Sequence, residues 1–346
     1  MRFSGGFQGA RARGVTAVPN RFDLNTVDRV EVTMLYENLV DAMMPESPRV
    51  ERLDPRAGPP TASPLFAEAR RAGFVGGHGL SMLVRVVRDG VSSSVLYDAG
   101  GAPEGLVHNL DCLGIGAKEC SAIVLSHGHW DHTLGLIGLH RRLGRFDLPL
   151  ILHPDAFLPR ATIAPSGKVT RFEPPSRRGL SEAGLEVIES VEPSYVLGGT
   201  VLVTGQVART NDVEIGWPAH HAERDGILKP DPHIWDDQGL VVHLKDRGLV
   251  VLSGCAHAGI INTIRHAQAI TGVQKVYAVI GGFHLGPRYF HDRIDWVVRE
   301  LMALEPSLIA PTHCTGYRAA HAIYQRKPDA FVQTTVGTRM TLGGVG

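Results

Sequence analysis

No stretch of this chain approaches the roughly 18 consecutive apolar residues that a membrane span requires, although 43% of its 346 residues are hydrophobic. Net charge is missing too, because 35 basic side chains meet 35 acidic ones. A balanced surface gives no electrostatic reason to expect nucleic acid or an anionic membrane as partner. Cysteine is scarce: Cys112, Cys120, Cys255 and Cys314 stand apart, without a Cys-x-x-Cys pair. That pattern argues against a disulfide framework or a structural zinc knot and suits a reducing cytoplasm. There is no Gly-x-Ser-x-Gly elbow, no Gly-x-x-x-x-Gly-Lys-Ser phosphate loop and no Gly-x-Gly-x-x-Gly after a strand. Serine-hydrolase, P-loop and dinucleotide chemistry therefore lose their usual signatures.

Residues 1–28 carry arginines but no apolar segment of a secretory signal, and they read as a flexible leader before a single domain over 29–346. Two surface insertions are expected, near 45–75 (with one short helix) and near 208–235. Residues 30–40 alternate as a first strand, and the polar ENLVD that ends it is placed to reach a site. LSMLVRVVRDGVSSSVLYDAGG, 80–101, is two β-branched runs split by Asp-Gly, a hairpin signal. AIVLS is a short continuous apolar run of the kind found in buried strands. The second half alternates strands with amphipathic helices, so sheets covered by helices are expected.

Histidine is what the chain has in quantity, seventeen in all, and SHGHWDHTLG (126–135) concentrates three of them with an aspartate. In an extended turn His127 and His129 can face one cation while Asp131 and His132 turn toward another. Imidazoles with a carboxylate suit zinc, manganese or iron, with positions left open for water. A cation so held polarises the bond under attack and activates water.

The motif His-x-His-x-Asp-His resembles the signature of the metallo-β-lactamase superfamily, and the resemblance extends over roughly residues 30–342. HGLS, YDAGG, LHPDAF, SGCAHAGIINT, IGGFHLG and PTHCTG are similar to one branch of it, the metal-dependent hydrolases related to dihydropterin-ribofuranosylaminobenzene phosphate synthases. This implies an α/β (α+β) domain built as a four-layer αββα sandwich, with one or two divalent transition-metal ions at one edge of the paired sheets. Zinc is the first expectation, with manganese or iron also suited. The metal ligands implied are His127, His129, Asp131 and His132, joined by His257 and His313. Where the superfamily has a bridging aspartate, this chain has Cys255, which is either a bridging thiolate or a small buried thiol.

Asp98 of YDAGG is expected to orient a ligand or brace the signature loop. His284, His78 and Arg209 are the candidates for touching substrate, and Arg209 would pair with a phosphate or carboxylate. His153 and Cys314 are assigned to structure; His220, His221, Asp231 and His233 could line an entrance, but a loop tract of this composition is ordinarily just solvated, and they are assigned there. The expected activity is hydrolysis of an ester, phosphoester or amide of a small, anionic or neutral molecule, with Asp131 as the catalytic carboxylate. A synthase-like transferase and a metabolite sensor without turnover are the alternatives. Nothing in the sequence sets the oligomeric state.

Overall fold

The computed structural model describes residues 21–54 and 60–344. Two sheets face each other. The first has eight strands in the spatial order Leu185–Glu189, Leu148–Leu152, Ala122–Val124, Val91–Tyr97, Ser81–Arg88, Arg29–Tyr36, Thr338–Gly343 and Val50–Arg52. The second has six: Ser194–Val196, Val201–Val203, Gly239–Leu244, Gly248–Ser253, Val276–Gly282 and Leu308–Thr312. Alternation along the strands divides their side chains between two faces. Val30, Val32 and Met34 meet Val203, Val242 and Leu252 in the core between the sheets. Leu106, Leu136 and Leu139 cover the outside of the first sheet, and Ile260, Ile264, Val297 and Ile323 cover the outside of the second. The order is helix, sheet, sheet, helix, the expected αββα sandwich.

Hairpins and crossovers share the work. Arg88 pairs with Val91 across Asp89 and Gly90, whose φ angles of 51° and 77° fit a tight turn with both central residues left-handed. The helices Gly105–Leu113 and Ile260–Thr271 instead connect parallel neighbours, as parallel pairing requires. Consequently Tyr97, Val124, Ser253, Gly282 and Thr312 all end at one edge of the sandwich. The carboxyl ends of parallel strands are where open sheets expose loops to ligands.

Three expectations are corrected. Residues 208–235 are not merely loop, because His220–Arg224 and Ile227–Pro230 form a hairpin around Asp225–Gly226. That hairpin joins Arg160–Ile163 and Val169–Phe172 in a separate four-stranded sheet. No helix occurs among the described residues of 45–75; Val50–Arg52 joins a sheet edge, and Pro60–Thr61 pairs with Arg70–Arg71. Prolines at 45, 48, 55, 59, 60 and 64 remove the donors a helix would need there. Of the expected leader, residues 1–20 lie outside the described residues. Residues 21–28 are tied down: Phe22 N donates to Ile270 O at 2.7 Å, and Val27 is fully buried. Among the described residues no helix is long and apolar enough to cross a membrane.

Candidate metal centre

After the strand Ala122–Val124 the chain makes an extended turn, and His129 caps the short helix Trp130–Thr133. The turn is possible only with glycine at 128, where a Cβ would lie 2.1 Å from Ala156 O. Gly128 N donates to Asp236 Oδ2 at 2.8 Å, and Arg160 holds the other oxygen of that carboxylate at 2.7 Å. In this frame His127 Nε2 and His129 Nδ1 lie 2.9 Å apart. The ring of His257 arrives from the other sheet, 4.8 Å from His127 and 4.9 Å from His129 between centroids. His129 Nε2 and His257 Nε2 are buried without a hydrogen-bond partner. Burial carries His127 and His257 well below the ordinary histidine range and His129 down to about 4. These imidazoles are therefore neutral, with lone pairs available to a cation.

A second group lies beside the first. Donor atoms of Asp131, His132, Cys255 and His313 fall within 4.8 Å of one another, and all four residues are buried. Asp131 Oδ2 is 3.3 Å from His313 Nε2 and 3.6 Å from His132 Nε2. Burial opposes the charge of Asp131, but His132 and His313 hold its pKa well below the usual carboxylate range. His132 moves the other way. Burial disfavours its cation, yet Asp98 and Asp131 carry it up to about 9.

Asp98 makes three buried contacts. Its carboxylate accepts from Ser126 N at 2.7 Å and Ser126 Oγ at 2.8 Å, and meets His132 Nδ1 at 2.7 Å. His313 is fixed from the end of the first strand, as the polar ENLVD suggested. Its amide donates to Glu37 Oε1 at 3.2 Å, and its Nδ1 lies 3.0 Å from Asn38 Oδ1. Outer partners of this kind fix the ring orientation and tautomer of a ligating histidine.

Cys255 sits between the two groups. Its Sγ is 3.2 Å from His132 Nε2 and lies within 4.8 Å of donor atoms of both His127 and His257. Burial pushes the thiol well above its ordinary pKa. The preceding Gly254 lets the two sheets' loops touch, since a Cβ there would lie 2.1 Å from Ser126 Oγ.

These groups floor a cavity of about 450 Å³ whose walls include His78, Trp130, Phe172, Trp217, His220 and His284. His78 stands at the mouth, its side chain 56% exposed and its Nε2 3.3 Å from Asp131 Oδ2, a hydrogen bond that raises its pKa. The His284 ring lies 4.1 Å from that of His257. Arg209 is not brought here. Its guanidinium donates to Val207 O at 2.6 Å and His233 O at 2.7 Å and lies over the Trp235 ring, so it braces its own loop. His153 accepts from Asp155 N at 3.0 Å, a structural cap as expected.

His220, assigned above to a solvated loop, is buried 5.4 Å from the ring of His257, and burial lowers its pKa to about 2. The signal that would have found it is the Asp225–Gly226 turn, which makes its segment a strand facing the site. Trp217 and Asp236 carried no such signal, and Cys314 was assigned to packing although it too lines the cavity.

Orphaned imidazole nitrogens, a carboxylate and a thiol in one buried floor fit divalent transition metals. The sequence model of the family described as the metallo-beta-lactamase superfamily matches residues 75–265. A 7,8-dihydropterin-6-methyl-4-(beta-D-ribofuranosyl)-aminobenzene-5'-phosphate synthase of Methanocaldococcus jannaschii is 27% identical over 75% of this chain and 88% of its own. An uncharacterized protein of the same organism is 30% identical over 73% of this chain and 89% of its own. A crystal structure of a metal-dependent hydrolase of the beta-lactamase superfamily superposes with a TM-score of 0.67, covering 92% of this chain and 100% of that one. At 22% identity that likeness shows a shared fold.

Proposed function

The chain belongs to the metallo-β-lactamase superfamily, and from that premise we propose that it is a metal-dependent hydrolase acting on an ester, phosphoester or amide of a small molecule. The observation that carries this reading is the buried floor itself, two histidine-rich donor groups meeting at Cys255 beneath one cavity. His127, His129 and His257 would hold one cation, and Asp131, His132 and His313 a second, with the thiol of Cys255 between them. A divalent cation held by these residues would supply Lewis acidity, polarising the bond under attack and making water more acidic.

The chain's own groups do the rest. Asp131 Oδ2, on the cavity floor, orients the attacking water and accepts its proton. Asp98 holds His132 in register through Nδ1. His78, exposed at the mouth, can pass a proton to the leaving group, while Trp130, Phe172 and Trp217 exclude bulk water. The cavity volume suits a small molecule. No lysine or arginine among the described residues lines it, so an anionic substrate would be met by the cations and by imidazoles. Transfer in place of hydrolysis has one observation in its favour, the synthase relative matched over 88% of its length.

The test is a panel of aryl phosphodiesters, phosphomonoesters and esters read by phenol release. Hydrolysis predicts release that chelation abolishes, that added zinc restores, and that His129→Ala lowers about 100-fold or more. Silence across the panel, with diphosphate released from a pterin diphosphate in the presence of an aminobenzene ribophosphate, would overturn hydrolysis in favour of transfer.

A further inference from the structure

Two side chains that would bind cations are left over by the groups above. Cys314 Sγ and a ring nitrogen of His284 lie with Cys255 Sγ in a third cluster, all within 4.8 Å of one another. The three residues follow the ends of three neighbouring parallel strands, Gly248–Ser253, Val276–Gly282 and Leu308–Thr312. Close approach is built in at Gly282, where a Cβ would lie 2.7 Å from Cys314 Sγ and 2.3 Å from Gly254 O. The backbone is strained at the same place: Ala256, His284 and His313 have φ of 55°, 47° and 50°. Such a conformation is unfavourable for a side chain with a Cβ and persists where the surroundings or the function demand it. Both ring nitrogens of His284 are buried and neither has a hydrogen-bond partner. All three residues line the cavity, so a solute reaches them without unfolding.

We propose that Cys255, Cys314 and His284 form a sulfur-rich donor set that binds a thiophilic cation of the zinc and cadmium class on the far side of Cys255. Sulfur and imidazole donors prefer such cations over manganese or magnesium, which favour oxygen. On binding, each thiol releases its proton to solvent and donates through sulfur; no electrons are transferred. Cys255 belongs also to the two groups described above, so its sulfur joins the three into one continuous centre. The inference rests on the reading that this cavity binds cations, and it adds the number of sulfur donors and the class of ion they select.

The experiment titrates metal-free, fully reduced protein with cadmium under anaerobic conditions, following the ultraviolet sulfur-to-cadmium charge-transfer band. Cadmium content is measured on the same samples, and circular dichroism confirms that each variant is folded. Wild type is expected to show the intensity of two bound sulfurs, Cys314→Ser about half of it, and the Cys255→Ser/Cys314→Ser double variant none. Full wild-type intensity in Cys314→Ser, with the same cadmium content, would overturn the inference and leave the hydrolase reading intact. Failure of the wild-type protein to take up any cadmium or zinc would instead remove the metal-centre reading on which both stand.

Discussion

Asp131→Ala is expected to lower kcat/KM on whichever ester the panel identifies by about 10²–10⁴-fold, the usual contribution of a positioned acid–base group. The effect is large because one carboxylate serves several partners. Asp131 Oδ2 lies 3.3 Å from both His313 Nε2 and His78 Nε2, and 3.6 Å from His132 Nε2. Removing it takes away a ligand candidate, the group that orients water, and the charge that keeps His78 and His132 more basic than usual. Asp131→Asn separates these roles, since it keeps an oxygen donor and removes the charge. Its kcat should fall nearly as far while metal content falls less. Activity of Asp131→Ala within about tenfold of wild type would remove Asp131 from the catalytic role.

Asp98→Ala is expected to cost about 3–5 kcal/mol of stability, as breaking one side of a buried ionic contact does. It should also weaken cation binding about 10–100-fold. Asp98 is fully buried, and without it Ser126 N and His132 Nδ1 lose their carboxylate acceptor together, while Ser126 Oγ keeps only imidazole neighbours such as His127 Nδ1 at 2.8 Å. The first number is read from urea midpoints of the metal-free protein, the second from competition with a chelating dye. A variant that keeps its stability and its metal affinity would show that His132 is positioned by other contacts.

Local signals made much of this molecule legible in advance. Asp89–Gly90 between β-branched runs gave the hairpin, and the dense cluster at 126–135 gave four of the six proposed ligands. His257 and His313 could be proposed because each follows an apolar strand directly. What escaped depends on partners distant in sequence. The polar ENLVD announced that the first strand ends at a site, but not that its Asn38 orients His313, 275 residues away. Arg209 looked available to a substrate because its burial against Trp235 cannot be read from spacing. The four-stranded sheet escaped for a different reason. Val169–Phe172 and Ile227–Pro230 are short, largely exposed strands, so the apolar alternation that marks a buried strand is absent. His220 was lost with that sheet, and Cys314 was passed over because a single buried thiol ordinarily means packing.

The most direct measurement is the metal content of wild-type protein that has been loaded with zinc and then desalted. A centre built on His127, His129, Asp131, His132, His257 and His313 predicts about two equivalents per chain, or about three with the Cys255, Cys314 and His284 set also filled, falling in His129→Ala and in His313→Ala. Fewer than about one equivalent in the wild-type chain would contradict it.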